Sequence, residues 1–200
     1  MLAVIGLGNV GSEYEDTRHN VGFRVIEALA GEGTRLERRD TYRFIGGRIG
    51  GRRALLVEPT VFMNRSGIAV ARLIGDFDLT PSDMLVVSDD VHLPLGRIRI
   101  RSGGGDGGQK GLASIIRSIG TEDFPRLRLG VGSPGGGVDL ADYVLDSFDA
   151  GEREEAERMI DLAVLCVRTW VTEGVARARD RWNRTQPLSE GHEEGEASKS

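Results

Sequence analysis

Two apolar runs without alternation, residues 2–5 (LAVI) and 84–87 (MLVV), constrain this chain more than any other feature. A strand with one wet face alternates apolar and polar residues. An unbroken run asks for cover on both faces, which helices on either side of a parallel sheet supply. The rest of the chain provides those helices. Helical periodicity fills residues 20–31, ended by Gly31 and Gly33, and also residues 66–77, 112–119 and 151–173. In the last of these Ala156, Met159, Ile160, Ala163, Val167 and Trp170 share one face, and Gly174 is a natural stop. Residues 175–182 read as a shorter helix. Residues 42–50 and 52–58 form a hairpin turning through Gly50 and Gly51, and residues 97–101 (RIRIR) and 126–132 (RLRLGVG) alternate as half-exposed strands. Strands interleaved with helices, plus one hairpin, predict an α/β fold: a single globular domain with a mixed, twisted β-sheet flanked by helices. The chain is long enough for one substantial core. We assign residues 1–186 to that domain and residues 187–200 to a polar, disordered tail.

The first apolar run opens into GLGNVGSEYEDTRHN, residues 6–20. Gly6, Gly8 and Gly11 spell G-x-G-x-x-G after a strand, which is how a dinucleotide site begins. Such a site needs a helix opening at the third glycine, with its N-terminus on the pyrophosphate. Here that glycine leads into Ser-Glu-Tyr-Glu-Asp, whose carboxylates would crowd the phosphate. The following residues are helical where a second strand ending in Asp or Glu is required. The dinucleotide reading fails both tests.

No apolar run approaches the roughly 18 residues of a membrane span, and no signal peptide opens the chain. The single cysteine, Cys166, lies in an apolar helical stretch, reads as inert core, and fits a reducing cytoplasm. The net charge of −5 argues at first sight against a nucleic-acid partner. Residues 187–200 hold −3 of it, however, and between Arg97 and Arg128 seven basic residues face three acidic ones. An acidic chain can carry a phosphate-binding face.

Ligands of open α/β sheets bind beyond the carboxyl ends of the strands, and three polar clusters sit at such ends. The first strand delivers Asn9 and leads to His19, one of only three histidines; the hairpin delivers residues 60–64; the run at 84–87 delivers Asp89 and Asp90. Together they would make a hydrolytic site, with His19 as general base, an Asp holding its other ring nitrogen, and Asn9 or Asn64 binding a carbonyl oxygen. No G-x-S-x-G elbow is present. General-base activation of water, without a covalent intermediate, is the simplest chemistry. Each piece also has a plain structural reading: Asn64 can cap the next helix and Asp89 can be a turn residue. Asp89, Asp90 and His92 form D-D-x-H, but no second ligand pair has matching spacing, and no metal site is assigned.

Alternation places Arg97, Arg99 and Arg101 on one face of their strand, and Arg126 and Arg128 on one face of the next. If the two strands pair, these arginines form a basic ribbon suited to phosphates. The glycine-rich loop 102–111 between them allows close approach of a ligand, and Lys110 falls at the start of a helix, where anions are favoured.

The segments GLGNVGSEYEDTRHNVGF, PTVFMNRSG, VVSDDVHLPLGRIRIRSGGGDGGQKGL and FPRLRLGVGSP, in this order, resemble the bacterial peptidyl-tRNA hydrolase family over about 180 residues. The resemblance implies a single α/β globule that cleaves the ester between a peptide and the 3′ ribose of tRNA. It implies a cytoplasmic monomer that needs no cofactor and has no membrane partner. It makes His19 the base, Asp89 its orienting carboxylate and Asn9 the amide beside them. It places Met63 and Asn64 in the peptide channel, Tyr14 at the rim, and Arg101 and Arg128 in a clamp on a tRNA phosphate. Residues around 139–150 and the C-terminal helices would form a lid and the acceptor-arm surface. The chain departs from the family at three points. Val10 stands where proline is common, and His92 where Asp is common. Gln109-Lys110 replaces a usual His-Asn, and Lys110 has no amide oxygen with which to accept a hydrogen bond. Lys110 is therefore assigned to substrate binding as a cation. Two rivals are an inactive tRNA-binding homologue and a nucleotide-dependent enzyme built on the Gly6 turn.

Overall fold

The computed structural model describes residues 1–31 and 33–184; the tail assigned to residues 187–200 lies outside the described residues. Seven strands form one sheet: β1 (Leu2–Gly6), β2 (Glu37–Arg38), β3 (Tyr42–Ile49), β4 (Arg52–Pro59), β5 (Met84–Asp90), β6 (Ile98–Arg101) and β7 (Arg126–Gly130). Their order is β2-β3-β4-β1-β5-β7-β6. The two apolar runs became neighbours at its centre: β1 pairs in parallel with β4 and β5, and β5 pairs in parallel with β7. The pairs β2–β3, β3–β4 and β6–β7 are antiparallel, so the sheet is mixed, as the pattern predicted.

Each central strand feeds two cores through its pleat. Val4, Leu85, Val87, Ile100 and Leu127 pack beneath the helices α1 (Val21–Ala30), α5 (Arg153–Glu173) and α6 (Val175–Trp182). Ala3, Ile5, Met84 and Val86 pack on the other face against α2 (Ser66–Phe77) and α3 (Lys110–Ile119). Cys166 is fully buried in the first core, and burial pushes its thiol up to about 12, which leaves it unreactive at neutral pH.

The glycines after β1 serve packing. A Cβ on Gly6 would run into the carbonyl of Gly22, and one on Gly22 into the backbone of Leu7. The pair lets α1 seat directly on the strand end. After Gly11 comes a single 3-10 turn, Ser12–Tyr14, then a second, Arg18–Asn20, and only then α1. No helix opens where a pyrophosphate would need it.

Two elements were not anticipated. The two-residue β2 is too short to leave a periodic signal. The helix α4 (Leu140–Leu145) is a turn and a half long, and its one sequence mark is Asp139, whose side chain accepts the Ala141 N–H at 2.7 Å. The exposed edge of β6 is blunted by Asn183, which mimics a paired strand: its side chain accepts from Ile100 N at 2.8 Å and donates to Ile100 O at 3.0 Å.

Candidate active site

The carboxyl ends of β1, β4 and β5 open into a cavity of about 400 Å³. Asn9, His19, Met63, Asn64, Asp89, Lys110 and Arg128 all line it, together with an apolar wall from α4. Six stretches that are far apart in sequence thus meet at the carboxyl end of the central strands.

His19 sits in the 3-10 turn Arg18–Asn20 and is 8 % exposed. Its Nδ1 lies 2.8 Å from Asp89 Oδ2. A carboxylate oxygen accepts here, so Nδ1 is the donor, and in the neutral imidazole Nε2 then has the lone pair. Nε2 has no hydrogen-bond partner among the described residues, and the ring borders the cavity.

Asn9 is fixed at three points. Its N–H donates to Asn20 Oδ1 at 2.8 Å, its carbonyl accepts from Asn20 Nδ2 at 2.9 Å, and its own Oδ1 accepts the Met63 N–H at 2.9 Å. That last bond sets the flip of the amide, because a backbone N–H needs the oxygen. The side-chain NH2 is left as a free donor on a held frame. Asn64 and Lys110 line the same cavity, are exposed, and make no side-chain hydrogen bond among the described residues. Asn64 therefore does not cap α2, whose N-cap position is Arg65.

Adjacent carboxylates on β5 take different partners. Asp89 faces His19, whereas Asp90 accepts the His92 N–H at 2.8 Å and pairs with Arg128 Nη1 at 3.1 Å. No group of three or more His, Cys, Asp or Glu side chains arranged to hold a metal occurs among the described residues.

Two expected contributors stand apart from the cavity lining. Tyr14 is half-buried in its 3-10 turn and does not line the cavity. Its neighbours Gly11 and Glu15 border a separate polar depression that shares only Asn9 with the cavity. The arginine ribbon is also not uniform. β6 and β7 do pair, with Arg99 opposite Arg128 and Arg101 opposite Arg126. Arg126, however, is 1 % exposed: its guanidinium donates to the carbonyls of Gly104, Gly105 and Glu122 and lies 4.1 Å from the Phe124 ring centroid. It holds the glycine loop from beneath. Burial and, secondarily, Arg128 pull its pKa down to about 10, so it remains charged at neutral pH. Arg128 is also engaged, with Asp90 and with Gly105 O at 2.7 Å. Arg101 is exposed and makes no ion pair among the described residues.

Two contributors escaped the sequence reading. Gln109, 8 % exposed, donates from Nε2 to Asp89 Oδ1 at 3.0 Å and accepts the Leu112 N–H at 2.8 Å. Its only signal was a polar residue at a helix N-cap position. Arg18, 4 % exposed, donates to the carbonyls of Asp146 (3.2 Å) and Ser147 (2.6 Å) and pairs with Glu152 at 2.6 Å. Its guanidinium also lies 4.3 Å from the Tyr143 ring centroid. It thereby ties the turn that carries His19 to the α4 wall, and nothing in the sequence pattern announces this.

Known proteins resemble this chain in sequence and in fold. The family model described as peptidyl-tRNA hydrolase matches residues 3–190. A peptidyl-tRNA hydrolase of Desulforudis audaxviator is 41 % identical over 94 % of this chain and 96 % of its own length. One of Syntrophomonas wolfei is 43 % identical over 92 % of this chain and the whole of its own. The crystal structure of peptidyl-tRNA hydrolase from Acinetobacter baumannii superposes with a TM-score of 0.87 at 34 % identity, covering 94 % of this chain and 96 % of that one. Matched over nearly its full length in sequence and in fold, this chain belongs to the peptidyl-tRNA hydrolase family.

Proposed function

We propose that this chain hydrolyses the ester joining a peptide, or an N-blocked amino acid, to the 3′ ribose of tRNA, with His19 as general base and water as nucleophile. The observation that carries this reading is the His19–Asp89 pair, 2.8 Å apart, in a cavity whose lining contains no Ser, Thr or Cys. With no side-chain hydroxyl or thiol in the lining, the lone pair on Nε2 acts on water. His19 takes a proton as the water oxygen bonds to the ester carbonyl carbon. Asp89 stabilises the imidazolium that forms, and the Asn9 amide donates to the developing oxyanion. Collapse breaks the bond to the ribose oxygen, which takes the proton back from His19. The products are the 3′-hydroxyl of tRNA and a free peptide carboxylic acid, which loses its proton to solvent; no cofactor enters the balance.

The substrate's two halves have separate surroundings. Phe62, Met63, Leu140, Val144 and Leu145 offer apolar contact to the acyl part, and Asn64 has a free amide for peptide backbone. Backbone recognition makes peptide identity matter little. On the other side, Lys110 and Arg128 in the cavity and the exposed Arg101 on β6 supply positive charge for phosphates, with Arg101 and Arg128 as the assigned clamp. We assign the enzyme to the cytoplasm as a monomer, in keeping with its single buried thiol.

The test is release of peptide from an N-blocked aminoacyl-tRNA by wild type and by His19→Ala. Release by the first and none by the second is expected. Undiminished release by His19→Ala would remove His19 as the base, and absence of release by wild type would remove the activity.

A further inference from the structure

We propose that Gln109 is a positioning residue for the base: it fixes the Asp89 carboxylate from the side opposite His19 and ties it to the first turn of α3. The inference rests on the reading of His19 as general base.

The amide orientation is dictated by its surroundings. Leu112 N–H reaches Gln109 Oε1 at 2.8 Å, so the NH2 group must face the other way. There it meets Asp89 Oδ1 at 3.0 Å and Met63 Sδ at 3.3 Å. Asp89 is 3 % exposed and has little water to draw on. A buried carboxylate needs a donor on each oxygen, and Asp89 has them: His19 on Oδ2 and Gln109 on Oδ1. With both oxygens held, the carboxylate cannot rotate, and the His19 ring plane follows it.

The second donor also sets the electrostatics. A hydrogen bond to Oδ1 draws charge from the carboxylate and moderates its pull on the His19 proton. Without that donor, Asp89 grips the imidazolium harder, and His19 stays protonated to higher pH. The other ionisable groups bordering the cavity are Asp90, His92, Lys110 and Arg128. Asp90 and Arg128 are paired with each other. Met63 shares the same amide, so the carboxylate, the cavity floor and the start of α3 are held by one side chain.

Gln109→Glu separates this role from helix capping. A carboxylate still accepts the Leu112 N–H and suits a helix N-terminus, but it sets a second negative charge against Asp89 in place of a donor; that charge adds to any shift, so Gln109→Met, which brings no charge, is the deciding variant. The folded Gln109→Glu variant is expected to lose roughly tenfold in kcat with KM nearly unchanged. The acid limb of its pH profile should move to higher pH, and the NMR titration midpoint of the His19 ring should move the same way. Gln109→Met, which removes both donor and cap, should shift the midpoint in the same direction by less. A His19 midpoint and acid limb that match wild type in a folded variant would overturn the proposal. The NMR readout needs no turnover, so it stands apart from the base assignment, which fails only if His19→Ala keeps its activity.

Discussion

The cavity floor and the β6–β7 edge use polar residues in opposite ways. On the floor, nearly every polar atom is paired: Asp89 on both oxygens, Asn9 at three points, His19 on one ring nitrogen. Beside the His19–Asp89 pair, His19 Nε2 and the Asn9 amide donor stay unpaired, and these are the atoms a reacting ester would meet, while Asn64 and Lys110 are unpaired among the exposed lining residues. On the edge, two of the arginines are occupied by the protein itself. Arg126 carries the glycine loop and Arg128 neutralises Asp90, while Arg101 is left to solvent. Fixed geometry with a few free atoms suits rate enhancement; free charge on a strand edge suits affinity. The difference shows that charge on a strand does not by itself mark a binding face, because burial decides which arginines are available.

The sharpest way to break this division is His19→Ala. If the floor supplies rate and the edge supplies affinity, kcat falls by roughly 10²–10⁴-fold while tRNA binding is unchanged. Single-turnover peptide release beside a direct tRNA-binding titration checks it. A parallel loss of binding would place His19 in the affinity machinery and blur the two regions.

Arg126→Met probes the structural half of the edge. It leaves the carbonyls of Gly104, Gly105 and Glu122 without their buried donor. The expected cost is roughly 3 kcal/mol of stability, read from denaturant unfolding. The salt dependence of tRNA binding should not move, since the side chain never reaches solvent.

How much of this was legible in the sequence follows the same line. Unbroken apolar runs, helical periodicity and glycine stops are local signals, so α2, α6 and the β3–β4 hairpin lie where the pattern placed them. The convergence of His19, Asn9, Asn64 and Asp89 could be read from a rule about strand ends. Alternation correctly put Arg101 and Arg126 on a common face, but it cannot tell a solvated face from one covered by a loop folded back beneath it. Gln109 and Arg18 act through partners 20 and more than 125 residues away, and no periodicity encodes such contacts. Tyr14 was placed at the rim by resemblance alone, and it stands in the turn after Gly11, beside the residues that line the cavity rather than among them.

A buried carboxylate away from the site sharpens the contrast with the paired floor. Glu58, at the end of β4, is completely buried; Oε2 pairs with Arg43, but Oε1 is buried without a partner. Burial pushes its pKa up to about 7 from 4.5, and Arg43 offsets this only partly. Because the folded state holds this proton more tightly than the unfolded chain, the sign is fixed. The stability contribution is complete below about pH 4.5 and is lost as pH rises through about 7. The slope is at most about 1.4 kcal/mol per pH unit. Glu58→Gln should flatten this dependence, making the variant more stable than wild type above pH 7 relative to its standing at pH 4.5. Unfolding curves across that window check it, and an unchanged slope would assign the pH dependence to other groups.

The smallest expected effect belongs to Arg101→Ala, and it is the most specific to the edge. Arg101 is exposed and makes no ion pair among the described residues, so its removal should leave the melting temperature within about a degree. If it meets a tRNA phosphate, KM rises a few-fold, and the slope of log affinity against log salt becomes shallower by about one. Arg128→Ala provides the internal contrast. The same substitution there strands Asp90, which is 6 % exposed, and frees Gly105 O, so a loss of stability should accompany any loss of affinity. An Arg101→Ala variant with a wild-type salt slope would leave the edge without a free phosphate contact at this position. The affinity would then have to come from Arg97, Arg99 or Lys110, which the same titration can rank.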